Sequence, residues 1–179
     1  MSELDILIVL IAGPILLVAL TTIFLIFFLR KRRRNKMYTS IENALEKYVR
    51  SNADSKLEKL YLPEYDYILQ TSKSKTYIMV VPNYSCGELF LSSSTKWSIK
   101  KTYEDSYSKF VPRVDKLARF DPPYEGGLVI RRMYIVYPLA KSILRYINDC
   151  EMEFIHYDTD INGANIVTYL ELKDEKIVF

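Results

Sequence analysis

One histidine, His156, and two cysteines, Cys86 and Cys150, bound the chemistry this sequence can carry. A metal centre built on two or more imidazoles is excluded by that count. Neither cysteine belongs to a CxxC or Cys–His pair, so both read as free thiols in a reducing compartment. A bridge between them would require the opposite membrane orientation to the one argued below. A Cys–His dyad would need a cysteine to approach His156, which the alternation in Glu153–Tyr157 puts on a strand near a sheet edge. No phosphate loop is present, because Gly126-Gly127 and Gly163 stand apart from any GxGxxG or GxxxxGK spacing. Asp158, Asp160 and Glu171 lack calcium-loop spacing. Asp160-Ile161-Asn162-Gly163 reads as a turn, since Asn and Gly accept positive φ at low cost. These residues imply no catalytic group, no metal and no cofactor.

Binding is better represented than catalysis. Between Lys96 and Arg119 lie seven basic residues, Lys96, Lys100, Lys101, Lys109, Arg113, Lys116 and Arg119. Three acids, Glu104, Asp105 and Asp115, partly offset them, and Trp97, Tyr103, Tyr107 and Phe110 are interleaved. Cations among aromatics can hold single-stranded nucleic acid by phosphate pairing and base stacking. The same mixture can rest on an anionic membrane with its rings at headgroup level, or sit in a solvated loop whose rings pack on the core. Proximity to a membrane favours anionic headgroups or a protein partner over nucleic acid.

That proximity follows from Ile6–Leu29, 24 residues without a charged or strongly polar side chain. As a helix they would span about 36 Å, more than the roughly 30 Å of bilayer hydrocarbon. Glu3 and Asp5 precede the run where a secretory signal would carry Lys or Arg, and a charged cluster follows where a cleavage site would stand. Arg30, Lys31, Arg32, Arg33, Arg34 and Lys36 lie on one flank and acids alone on the other, which places Met1 outside and the rest in the cytoplasm of a cell-membrane protein. The expected organisation is an extracytoplasmic tip (1–5), a transmembrane helix (6–29), a basic juxtamembrane segment (30–37) and a cytoplasmic domain (38–179). Six of the 25 basic residues and two of the 22 acids precede Met37, leaving the domain a net charge of about −1.

Within the domain, Ile41, Leu45, Tyr48 and Val49 recur at helical spacing after a candidate N-cap, Thr39 or Ser40, predicting a helix over 40–50. A short helical turn is expected over 55–61. Tyr65–Thr71 and Thr76–Val81 read as strands, the second apolar on both faces and therefore central. A hairpin is expected from 88–92 and 96–100, then an irregular stretch with one short helix over 114–119. Met133–Tyr137 reads as a strand, Pro138 as the first turn of a helix over 139–149, and Glu153–Tyr157 as a strand. This strand–helix–strand unit at 133–157 implies a parallel pair. A last strand or short helix is expected over 166–172. The class is α/β or α+β with a mixed sheet.

The order of elements from Ser40 to Tyr157, with Asp66 opening a strand, resembles the restriction-endonuclease-like nuclease fold. The resemblance would make Asp66 a candidate metal ligand, with Glu42 or Glu46 in the place of a helical Glu. It would also call for an acid and a Lys on the next strand, where this chain has Met79 and Val81. Lys75, at the strand's start, cannot supply both groups. The resemblance therefore implies a non-cleaving member whose Asp66 is vestigial. The favoured reading remains a non-enzymatic membrane-anchored binding module, with a tethered nucleic-acid-binding domain as the alternative.

Overall fold

The computed structural model describes residues 3–93, 95–101, 108–111, 113–123, 126–148, 151–156, 159–161 and 163–174, with side chains from residue 12 onward. Tyr103, Glu104, Asp105, Tyr107, Cys150, Tyr157, Asp158 and Asn162 lie outside the described residues. The chain divides into two units, Met1–Ser40 and Ile41–Phe179.

The first unit is the bulk of α1 (Glu3–Ser51), a helix long and apolar enough to cross a membrane. Its large apolar side chains from Ile15 to Leu29 are 42–72% exposed, so no protein core receives them. Thr21 and Thr22 donate their hydroxyls to the Val18 carbonyl at 2.9 and 2.7 Å, which hides both polar groups against the helix. Arg30, Lys31, Arg32, Arg33, Arg34 and Lys36 follow, all exposed.

The second unit holds the last turns of α1 and two five-stranded sheets. The first sheet contains β1 (Lys56–Lys59), β2 (Tyr67–Gln70), β3 (Ser74–Pro82), β7 (Val129–Tyr137) and β10 (Ala164–Thr168), in the order β1-β2-β3-β7-β10. The second contains β4 (Glu88–Leu91), β5 (Trp97–Lys100), β6 (Lys109–Phe110), β8 (Ile143–Tyr146) and β9 (Met152–Phe154), in the order β6-β5-β4-β8-β9. Two short helices, α2 (Val114–Arg119) and α3 (Tyr169–Lys173), complete it. Both sheets are mixed. β3 runs parallel to β7 over nine residues and β7 parallel to β10, while β4 is parallel to β8 and antiparallel to β5.

Alternation along β3 explains its central place. Tyr77, Met79 and Val81 point into the layer between the sheets, where they join Leu89, Leu91, Trp97 and Ile99 of the second sheet. Ile78 and Val80 point to the other face and are just as buried. Ile41 and Leu45 of α1 are fully buried, and Glu42 between them accepts from Tyr61 and, at 3.3 Å, from Tyr67, so these helical turns cover that outer face. Each fully buried aliphatic side chain contributes roughly 1.5–3 kcal/mol. The Trp97 and Tyr134 rings, 4.4 Å apart, join the two sheets through the core.

Three local expectations need correction. No helix follows Pro138: residues 143–146 are β8, and the residues after β7 cross to the second sheet. Leu139, Ile143, Leu144 and Ile147 fit a helical period, but Ile143 and Leu144 equally fit opposite faces of a strand, and β4 supplies an edge to pair with. The parallel crossover from β7 to β10 thus passes through a strand pair of the second sheet. Lys56–Lys59 is a strand as well, because β2 offers its hydrogen-bonding edge. The helix over 40–50 exists, but as the end of α1, with no break at Thr39 or Ser40.

The hairpin β4–β5, the helix α2 and the double coverage of β3 match the sequence reading. At 166–172 both expected forms occur, a strand and then a helix whose N-cap Thr168 and Glu171 bond reciprocally.

Candidate functional site: a basic cleft where the central strand ends

β3 stops at Pro82, and the chain turns at Asn83–Cys86 before β4 begins. Asn83 builds this turn. Its side chain is 1% exposed and makes four hydrogen bonds: Nδ2 donates to the Gly87 and Leu139 carbonyls, while Oδ1 accepts from Ser85 Oγ and the Gly87 amide. Its backbone N–H donates to Tyr137, the last residue of the neighbouring strand. Gly87 lies so close to β5 that a Cβ there would stand 2.1 Å from the Lys100 carbonyl oxygen. A side chain at 87 would therefore push the turn off the sheet.

Ile99 belongs to the core between the sheets, and Lys109 stands opposite it on β6. Lys101, two residues after Ile99, continues the same face. Pro82, Asn83, Tyr84, Ser85, Ile99, Lys101 and Lys109 together line a cleft of about 340 Å³. Lys101 and Lys109 are exposed and form no ion pair among the described residues, and none of the described lining residues is acidic. The Ser85 hydroxyl is committed to Asn83, whereas its backbone N–H has no partner among the described residues. Two cations and a tyrosine beside Pro82 and Ile99 can hold an anion; no nucleophile–base pair accompanies them among the described lining residues.

The fold disperses the rest of the basic segment. Trp97 is 1% exposed in the core and cannot meet a ligand, which corrects its place on the expected surface. Its alternation with Ile99 on β5 decides this, since both face the first sheet. Lys100 points to the opposite face of the sheet from Lys101, over the Phe90 ring at 4.8 Å. Lys96 is exposed at the start of β5, at the far end of the strand from Lys101. Lys116 and Arg119 are exposed on α2. Arg113 donates to Asp66 Oδ1 at 3.2 Å and to the Leu62 carbonyl at 3.0 Å.

Asp66 is 1% exposed and also accepts from the Val80 amide at 2.7 Å, so its carboxylate joins β2, β3 and the start of α2. Glu42 and Glu46 lie across the first sheet from it: Glu42 meets Tyr67, whose side chain points to the opposite face from Asp66. Lys59 pairs with Glu42 at 3.2 Å and Glu46 at 2.7 Å. Met79 and Val81 are core residues. Among the described residues no three His, Cys, Asp or Glu form a group that could hold a metal ion. His156 is exposed after β9, and Cys86 sits at φ 51 in the turn before β4.

Sequence reasoning missed Asn83, Tyr84, Ser85 and Gly87. Pro-Asn closing a strand and Gly four residues after Asn83 were the available signals of a tight turn. No protein-family model matches this chain, and neither a curated protein nor a solved structure does.

Proposed function

We propose that this chain is a single-pass protein of the cell membrane whose domain works on the cytoplasmic side as a non-enzymatic binding module, and that the module engages the anionic membrane surface through the Lys101–Lys109 cleft. The observation that carries the reading is the cleft itself: Lys101, just after β5, and Lys109, on β6, line one concave site and form no ion pair among the described residues. The apolar helix supports membrane attachment, and the cations from Arg30 to Lys36 support a cytoplasmic domain by the positive-inside rule. Lysines near an anionic leaflet gain about 1 kcal/mol each, so two in one cleft give a modest, salt-sensitive attraction. Tethering offsets its weakness, because a domain held beside the bilayer meets headgroups at high effective concentration.

The test is amide exchange on the full chain in nanodiscs. Anionic discs containing phosphatidylserine should slow exchange over residues 83–87 and 99–101 relative to phosphatidylcholine discs, and 0.5 M salt (about a 4–5 Å screening length) should reverse it. Equal exchange in both discs would remove the membrane surface as the ligand and leave an acidic protein partner as the reading to pursue.

A further inference from the structure

We infer that the basic end of α1 carries a site for one anionic phospholipid, its phosphate held by Arg30, Lys31 and Arg34 and an acyl chain lying along Phe24, Phe27 and Phe28. The inference rests on the membrane-spanning reading above and adds a ligand site separate from the Lys101–Lys109 cleft. These six residues line one groove of about 480 Å³ on the helix. At about 100° per residue they fall within an arc of about 160°. Phe24, Phe27 and Phe28 are the only aromatic residues between Ile6 and Leu29, so every ring of the span lies in this arc. Leu25, Ile26, Leu29, Arg32, Arg33 and Lys36 occupy the opposite side of the helix.

The groove changes from apolar to cationic in the direction that a lipid does. From Phe24 to Arg34 the helix rises about 15 Å, half the roughly 30 Å of bilayer hydrocarbon. Its rings are exposed, and those of Phe24 and Phe28 stack at 6.5 Å and 20°, forming one flat wall. A chain lying on that wall gains many small dispersion contacts. Arg30 and Arg34 stand four residues apart and Lys31 and Arg34 three, so the cations are surface neighbours that repel one another. They form no ion pair among the described residues, and a phosphate between them relieves the repulsion. Arginine offers it a planar fork and lysine a point charge. Phosphatidylcholine brings a cation beside its phosphate, whereas phosphatidylserine keeps a net negative charge. Charge also argues against a second copy in the groove. Single-pass chains share one orientation, so pairing along this face would set Arg30, Lys31 and Arg34 against the same residues of the other copy.

Native mass spectrometry of the full-length protein in detergent, offered equal amounts of phosphatidylserine and phosphatidylcholine, reads both the bound lipid and the oligomeric state. One phosphatidylserine per chain should be retained, in about tenfold preference to phosphatidylcholine. R30Q/K31Q/R34Q should lose that preference. R32Q/R33Q/K36Q removes as many charges from the opposite side of the helix and should keep most of it. F24L/F27L/F28L preserves an apolar span and should lower the retained lipid several-fold. Glycerophosphoserine, the same headgroup without chains, should not compete. K101A/K109A should bind lipid as the unsubstituted chain does.

Equal losses in the two glutamine variants would overturn the site, because the cluster would then attract lipid by diffuse charge alone. Full retention in F24L/F27L/F28L, or displacement by glycerophosphoserine, would remove the acyl-chain contact and the proposal with it. A dimer that F24L/F27L/F28L dissolves would give the groove to a second copy, and a loss in K101A/K109A would give the lipid to the cleft; either overturns it. Washing membranes at high salt separates these failures from failure of the membrane-spanning reading. A chain that stays in the membrane yet shows no lipid preference sinks only this inference, and a chain that salt releases sinks both.

Discussion

Two stretches of this chain are rich in lysine and arginine, and the fold treats them in opposite ways. Arg30–Lys36 lies on one continuous helix, and all six of its cations remain exposed. The orienting role proposed for them requires only that they follow an apolar span, so spacing along the chain is all that matters to it. Lys96–Arg119 passes through two strands and a helix, and each element sends its cations in a different direction. Arg113 is held by a buried carboxylate, Lys100 lies over a ring, Lys116 and Arg119 face solvent, and Lys101 and Lys109 meet in one cleft. A cationic segment is therefore one functional unit only when its residues share an element; otherwise charge density in the sequence overstates the site.

The sharpest test of this contrast is to neutralise each stretch. Replacing Arg30–Arg34 with glutamine should scramble orientation, because residues 1–5 carry no Lys or Arg to compete. Protease accessibility in sealed vesicles would then fall into two populations, and a uniform one would show that orientation depends on something else. K101A/K109A should leave orientation uniform.

Within the second stretch, arginine and lysine should separate by stability. Arg113→Ala leaves the Asp66 carboxylate buried without its cation, at a cost of about 3 kcal/mol. Thermal unfolding of the full chain in detergent should show this as a large loss. Lys101→Ala and Lys109→Ala should stay within about 0.5 kcal/mol, as exposed substitutions do. A destabilised lysine variant would mean that the cleft has a structural role. Gly87→Ala should come next, at about 2 kcal/mol, because the new methyl group meets backbone that cannot move alone.

Trp97 offers a smaller, spectroscopic check. Its burial predicts blue-shifted emission before any ligand is added and no further shift on contact with anionic discs. A shift on contact would show that the second sheet opens.

The smallest effect concerns pH. Hydrogen bonding to Lys59 holds the Glu46 carboxyl below the usual carboxylate range, and Glu46 in turn raises Lys59. The Glu46 contribution is complete above the ordinary carboxylate value and disappears as pH falls through the lowered one. Lys59 adds stability at neutral pH that is lost only above the ordinary lysine range. Both groups are more than a third exposed, so Glu46→Gln should cost only a few tenths of a kcal/mol. A much larger loss would point to a tighter contact between α1 and β1.

The length and apolar character that would let α1 cross a membrane, the central place of β3, the β4–β5 hairpin and the short α2 helix all follow from composition and periodicity, because each depends on residues adjacent in the chain. Two local readings went the other way. Residues 55–61 and 139–149 each hold apolar residues compatible with helix or strand, and open edges on β2 and β4 decided for strand. The candidate site was legible only as a list of seven cations. Which of them converge depends on strand register, on the point where β3 ends and on a turn built by Asn83 and Gly87. Sequence alone determined where charge and apolar surface occur, since those are properties of residues; only the tertiary structure decided which charges stand together, since that depends on pairing between distant segments.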